Sequence, residues 1–328
     1  MISFFPFQTM FLFTLISGTL TAISAPSWFL AWFGLEINLL SFIPLITSST
    51  TNQEAEGAMK YFLSQATGST LLLIGSVLAP SNATFILVLG LLIKLGLPPG
   101  HFWFPMVMGT LPWATCILLT TWQKVAPLTL LTFTPSTTFP LLGVVAGAAS
   151  ILGASGHNQS QISPLLAYSS IGHLGWMLML STVSPNTTII YFVMYSLITL
   201  TIMLLLAISS SQSLYSLSGP LQDQGPSKIL TASLLLSLAG LPPLLGFMPK
   251  LLTLNALAQS SLLIASMPLI LGSLTNLFYY LSFSFILLLP MTVKQQTTLQ
   301  PPTTFPLPLA FLIMLSLAAS PLLPAFFM

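Results

Sequence analysis

Charge is what this sequence has least of. Its 328 residues hold six lysines and four acids, 3% of the chain, and no arginine. A soluble domain carries about 25% charged residues. A chain this poor in charge cannot build a solvated surface, so lipid must be its solvent over most of its area. The same shortage excludes nucleic acid as a partner, because there is no cationic stripe to meet phosphates. One cysteine, Cys116, excludes an internal disulfide and reads as a small packing residue in a helix. No Cys/His cluster has metal-ligand spacing. There is no phosphate-cradling Gly loop on a strand, no cysteine set for iron–sulfur clusters and no histidine pair suited to haem. Any energy the chain uses must arrive from a partner.

What the chain does have is hydrophobicity: 55% of its residues are hydrophobic and the mean hydropathy is +0.96. A spanning helix needs about 20 apolar residues. Such spans are expected near 4–24, 26–47, 57–79, 83–104, 110–132, 139–157, 162–181, 186–208, 228–250, 262–289 and 304–326. The fold class is therefore an all-α integral membrane protein of about eleven transmembrane helices, one polytopic domain with no soluble domain in any gap. The first apolar stretch lacks a basic start and runs at once into a second span, so it is expected to be retained rather than removed as a signal.

The loop charges sort by side. Glu54, Glu56, Asp223, Lys228 and Lys294 all fall after even-numbered spans, which gives the charged side a weak claim to be the inner, matrix-type side. An internal echo also stands out. Residues 93–99 read Ile-Lys-Leu-Gly-Leu-Pro-Pro and residues 238–243 read Leu-Ala-Gly-Leu-Pro-Pro. Proline removes a backbone donor and breaks a helix. Two Pro-broken spans at corresponding positions point to an inverted-repeat transporter with ions near the breaks. The halves are expected at 57–181 and 186–328.

Glu36, Lys60, Lys94, Lys124 and Lys250 lie inside or at the ends of the expected spans. A charge at a helix centre costs about 2.5–3.5 kcal/mol even on the lenient insertion scale. Residues retained at that cost are functional by default, though each has a structural reading. Glu36 reads as a carrier or a counter-ion. Lys94 and Lys250 read as carriers beside the two breaks or as lysines reaching for the interface. Lys124 sits too deep in its span to snorkel easily. Lys60 is explained well by a helix-end ion pair with Glu56. His173 either relays protons or hydrogen-bonds between helices. His101 falls at the first break and reads as interfacial, and His157 as polar punctuation at a span end. Lysine suits proton carrying, because burial disfavours its charged form and a nearby carboxylate favours it. Arginine does not release its proton.

The motifs name a family. Trp-Phe-Gly-Leu-Glu-Ile-Asn (32–38), Lys-Tyr-Phe-Leu-Ser-Gln-Ala (60–66), Lys-Leu-Gly (94–96), His-Phe-Trp (101–103), Thr-Trp-Gln-Lys-Val-Ala-Pro (121–127), Leu-Ala-Tyr-Ser-Ser-Ile-Gly-His-Leu-Gly-Trp-Met (166–177) and Gly-Leu-Pro-Pro-Leu-Leu-Gly-Phe-Met-Pro-Lys (240–250) occur in that order. Over nearly its whole length the chain resembles the animal-type chain 2 family of mitochondrial NADH–ubiquinone oxidoreductase (complex I). The resemblance implies a multi-pass protein of the mitochondrial inner membrane, with an antiporter-like fold of two inverted bundles, each with a broken helix.

It also implies roles. Glu36 and Lys94 would form a gating pair, Lys124 the connecting carrier and Lys250 the carrier of the second bundle, with Lys60 and His173 as secondary candidates. No cofactor is implied in this chain. NADH, FMN, iron–sulfur clusters and ubiquinone belong to partner subunits, and the other partners are neighbouring antiporter-like membrane-arm subunits and lipid. Two positions depart from the family pattern: Met106 stands where a Glu is usual, and Ser163-Pro164 where a basic residue or pair is usual. Alternative readings are a cation/proton antiporter subunit and a non-pumping structural spacer.

Overall fold

The computed structural model describes residues 6–48, 51–78, 84–134, 138–208, 225–242 and 244–288. Every regular element among them is a helix, which is how a chain in lipid satisfies its backbone hydrogen bonds internally. The expected span at 304–326, and Asp223, Pro243 and Lys294, lie outside the described residues.

The chain forms two compact units, residues 1–149 and 150–328. The first contains α1 (Pro6–Ile23), α2 (Trp28–Ile46), α3 (Asn52–Leu78), α4 (Thr84–Leu95), α5 (Trp103–Met108), α6 (Trp113–Thr120) and α7 (Trp122–Thr132). α1 packs on α2, α2 on α3, α3 on α4 and α5, and α4 on α7. Small residues let backbones approach: a Cβ on Gly90 of α4 would lie 2.8 Å from the Gly68 carbonyl oxygen of α3. Such contacts hold helices together where lipid offers no hydrophobic drive.

α8 (Phe139–Leu152) runs into the second unit. There follow a 3₁₀ segment (Gly153–Asn158), α9 (Ile162–Val183), α10 (Pro185–Ile208), α11 (Gly225–Ala239), α12 (Phe247–Gln259), a 3₁₀ turn (Leu263–Ala265) and α13 (Ser266–Leu288). α9 is buried on nearly every side, packed by α10, α12 and α13. Outward positions are apolar, as at Phe13, Val144 and Ile264, while Lys94, Lys124, Lys250 and His173 are buried. That polar-inside arrangement reverses the habit of a soluble protein.

Both expected breaks are present, and they share one backbone device. Gly96 (φ +73°) ends α4, its N–H donating to Ile93 O at 3.0 Å while Leu97 N–H donates to Leu92 O at 2.9 Å. Gly240 (φ +83°) ends α11 in the same way, with Gly240 N–H to Ser237 O at 3.0 Å and Leu241 N–H to Leu236 O at 3.4 Å. This is the Schellman close, which needs the left-handed backbone that glycine allows. Glycine therefore stops each helix, and proline behind it prevents resumption.

The spans do not reappear one for one. Residues 83–104 divide into α4 and α5, and 228–250 into α11 and α12, with α12 running on to Gln259. An unexpected interruption at Thr121 (φ −109°, ψ −73°) divides 110–132 into α6 and α7. Pro127 stands inside α7, where it has no N–H to give the Gln123 carbonyl, but the helix continues past both residues and the interruption lies before them. Among the described residues, five helical stretches are long and apolar enough to cross a membrane: Trp28–Ile46, Asn52–Leu78, Phe139–Asn158, Pro185–Ile208 and Leu263–Leu288. The charges expected in loops at Glu54, Glu56 and Lys228 instead lie within the N-terminal ends of α3 and α11, Glu54 in the first turn of α3.

Candidate functional site

In the first unit a small polar cavity collects side chains from six helices. Leu35, Asn38 and Leu39 of α2, Tyr61 and Gln65 of α3, Lys94 of α4, Trp103 and Phe104 of α5, Leu119 of α6, and Gln123 and Lys124 of α7 line it, and about 20 Å³ is open to the centre of a water molecule. One water needs roughly 10–15 Å³ on that measure. Two lysines remote in sequence thus share a space able to hold water.

Each wall has a local reason. Lys94 lies in the last turn of α4, where the helix C-terminus favours a cation. The turn is held from outside: Gln65 Nε2 donates to Lys94 O at 3.3 Å and Trp103 Nε1 donates to Ile93 O at 3.0 Å. Lys124 stands in the first turn of α7, immediately after the Thr121 interruption rather than deep in an unbroken span. Its ammonium sits 4.9 Å from the Phe104 ring centroid, a cation–π contact. Gln123 Nε2 donates to Asn38 Oδ1 at 2.9 Å, which ties α7 to α2. Glu36 is half-buried on α2. Its Oε2 is buried with no hydrogen-bond partner among the described residues, and Glu36 itself is not among the residues that line the cavity.

Lys60 is placed otherwise. It is partly exposed and pairs with Glu56 at 2.5 Å, as an i,i+4 ion pair on a helix end should. His101 is buried within the first break, its ring 4.0 Å from that of Phe102, and its Nδ1 lacks a hydrogen-bond partner among the described residues.

In the second unit Lys250 of α12 donates from Nζ to Ala239 O at 2.7 Å, at the end of α11. A Cβ on Gly240 would lie 2.7 Å from that ammonium, so glycine gives the lysine its seat. His173 is buried on α9, with Nδ1 3.0 Å from Tyr191 Oη of α10. Tyr195 stacks against the same imidazole, centroids 5.2 Å apart, and Tyr279 and Tyr280 of α13 form an adjoining buried pair, centroids 4.6 Å apart. His157 is exposed beside Phe278.

Sequence reading singled out the ionisable residues and missed the neutral ones that wall them in. Asn38, Tyr61, Gln65, Gln123 and Tyr191 carry no charge to mark them. The available signal was spacing: Tyr61 and Gln65, and Tyr191 and Tyr195, recur at i,i+4 within apolar helices.

Residues 25–82 and 77–276 match the family described as NADH:quinone oxidoreductase/Mrp antiporter, TM. NADH-ubiquinone oxidoreductase chain 2 of Lumbricus terrestris is 41% identical over 84% of this chain and 85% of its own length. The chain 2 protein of Didelphis virginiana is 36% identical over 97% of both. A chain in the solved respiratory complex I of Thermus thermophilus, with bound aureothin, superposes with a TM-score of 0.84 at 24% identity, covering 99% of this chain and 80% of that one.

Proposed function

We propose a function from one premise: the chain belongs to the NADH-ubiquinone oxidoreductase chain 2 family, within the wider NADH:quinone oxidoreductase/Mrp antiporter group of transmembrane proteins. It is an antiporter-like, membrane-arm subunit of respiratory complex I. Its work is to translocate protons while other subunits oxidise NADH and reduce ubiquinone. It sits in the mitochondrial inner membrane against neighbouring antiporter-like subunits, and it carries no redox cofactor of its own.

The observation that carries this reading is the shared cavity of Lys94 and Lys124, walled in part by the stretch of α2 that bears Glu36. Glu36 and Lys94 form the gate: as the carboxylate's influence changes, Lys94 takes up or gives away a proton. Lys124 exchanges that proton through water in the common space. Lys250, seated on the broken end of α11, is the carrier of the second unit, with His173 as its relay. Lys60, paired with Glu56 at the start of α3, serves the helix end first. The two Gly-Leu-Pro-Pro breaks mark corresponding points of two repeats, and each puts a lysine beside a helix C-terminus that favours positive charge.

Moving one charge against the membrane potential costs about 2.3 kcal/mol per 100 mV, so the chain needs the driving reaction of its partners. The test is Lys94→Ala and Lys124→Ala in the assembled complex, reading protons moved per electron passed to ubiquinone. Both are expected to lower that ratio, Lys94→Ala more. An assembled complex with both changes and an unaltered ratio would make the chain a spacer.

A further inference from the structure

We propose that Glu54 is the outer proton acceptor of the first unit, collecting protons from water at the start of α3 and delivering them along one face of that helix to the Lys94 cavity. The proposal rests on the proton-translocating reading above and adds an entry point to it.

Glu54 stands in the first turn of α3, where a carboxylate would ordinarily point to water. It is instead only 7% exposed, and its Oε2 is buried with no hydrogen-bond partner among the described residues. Glu56, two residues on, behaves as a surface acid, with its side chain 61% exposed and paired with Lys60. A buried carboxylate oxygen without a partner is costly, and water is the usual means of satisfying one. The inward turn therefore marks a place where water enters.

The face of α3 that Glu54 begins leads to the cavity. Gly57, Ala58, Tyr61 and Gln65 are buried on the same side, at spacings that stack along a helix. Tyr61 lies about 10 Å and Gln65 about 16 Å beyond Glu54 along the axis, at 1.5 Å per residue. Between Glu54 and Tyr61, small residues keep the face low, and the Thr110 hydroxyl packs against Gly57. Tyr61 and Gln65 both line the cavity, and Gln65 is hydrogen-bonded to the Lys94 carbonyl. The face thus runs from a carboxylate through a hydroxyl, a phenol and an amide to a lysine.

The steps balance. Hydronium on the aqueous side gives a proton to the Glu54 carboxylate, leaving water and a neutral acid. The acid then gives the proton to water along the α3 face, which passes it to the neutral Lys94 amine. Glu54 returns as carboxylate and Lys94 becomes ammonium, for a net transfer of one proton.

The test compares Glu54→Gln, Glu54→Asp, Glu54→Ala, Glu56→Gln and Lys94→Ala in the intact complex, reading NADH-driven proton translocation. Glu54→Gln is expected to slow translocation on the order of tenfold or more, the low side of what a positioned acid contributes. Glu54→Asp should retain most of it, and Glu56→Gln should behave as native. Formate in the buffer should restore Glu54→Ala, because a small weak acid replaces the missing carboxyl, and should not restore Lys94→Ala. If Glu54→Gln fails to assemble, Glu54→Asp and formate rescue of Glu54→Ala still decide. Native translocation by Glu54→Gln beside a defective Lys94→Ala overturns the proposal, as do equal losses in Glu54→Gln and Glu56→Gln, or a Glu54→Ala defect that formate does not touch. Native translocation by Lys94→Ala would instead overturn the parent reading, and this one with it.

Discussion

The ammonium of Lys250 donates to the carbonyl of Ala239 across the broken end of α11, at 2.7 Å. The lysine on α12 thereby supplies a donor that the helix lost when it stopped at Gly240. Charge and helix break complete each other, because a helix C-terminus leaves carbonyls unmatched and carries partial negative charge.

Lys250→Met should therefore do two things. It should remove the proposed proton carrier, and it should leave the Ala239 carbonyl buried without its donor, costing about 1–3 kcal/mol. The expected result is an assembled complex with a lower proton-to-electron ratio and a lower melting temperature. A native ratio would leave Lys250 a purely structural clasp.

The two break glycines should differ in consequence. Gly96→Ala and Gly240→Ala both place a Cβ on a left-handed backbone, costing about 1–2 kcal/mol each, so both should lower thermal stability. The added methyl at 240 also meets Lys250 Nζ, whereas at 96 it meets the Phe104 side chain. Proton translocation should fall further with Gly240→Ala than the shared loss of stability explains. Equal loss in both variants would refute the seating of Lys250 by Gly240.

Phe104→Leu should weaken the placement of Lys124, whose ammonium lies 4.9 Å from that ring. Removing the contact is expected to cost about 0.5–2 kcal/mol. A double-mutant cycle isolates it: Phe104→Leu should cost less stability when Lys124 is already Met. Identical costs in the two backgrounds would show that the ring only fills space.

Tyr191→Phe keeps the shape of the side chain and deletes the hydroxyl that meets His173 Nδ1 at 3.0 Å. Stability should drop by about 0.5–1.5 kcal/mol. If His173 relays protons, the coupled rate should fall with the change and His173→Gln should add little to it. Additive losses would separate the two residues.

Much of this architecture could be read from the chain because the strongest physical penalties leave visible marks. A lysine inside lipid is costly, so Lys94, Lys124 and Lys250 announced themselves. Gly-Leu-Pro-Pro names a helix end twice, though sequence reading assigned the stop to proline and the structure assigns it to glycine. The interruption at Thr121 left no such mark, because neither glycine nor proline stands at it and it falls inside one expected span. Glu54 was read as a loop charge because its neighbours are polar, and only packing shows which way a first-turn side chain points. Asn38, Gln65, Gln123 and Tyr191 escaped notice for a simpler reason. Neutral polar residues are common in this chain, and their value depends on what faces them.

The close contact of α3 with α4 also limits how the proposed gate can work. Gly68 lies under the stem of Lys94, where a Cβ would come within 3.0 Å of its Cγ, and Gly75 meets the Leu87 backbone farther along the same seam. Helices locked backbone to backbone cannot slide past one another without prising the seam apart. The lysine is thus bolted at its root and loose only at its tip. In the proposed gate, switching between one neighbour and the next is then a swing of a few side-chain torsions in a fixed frame, not a shift of whole helices.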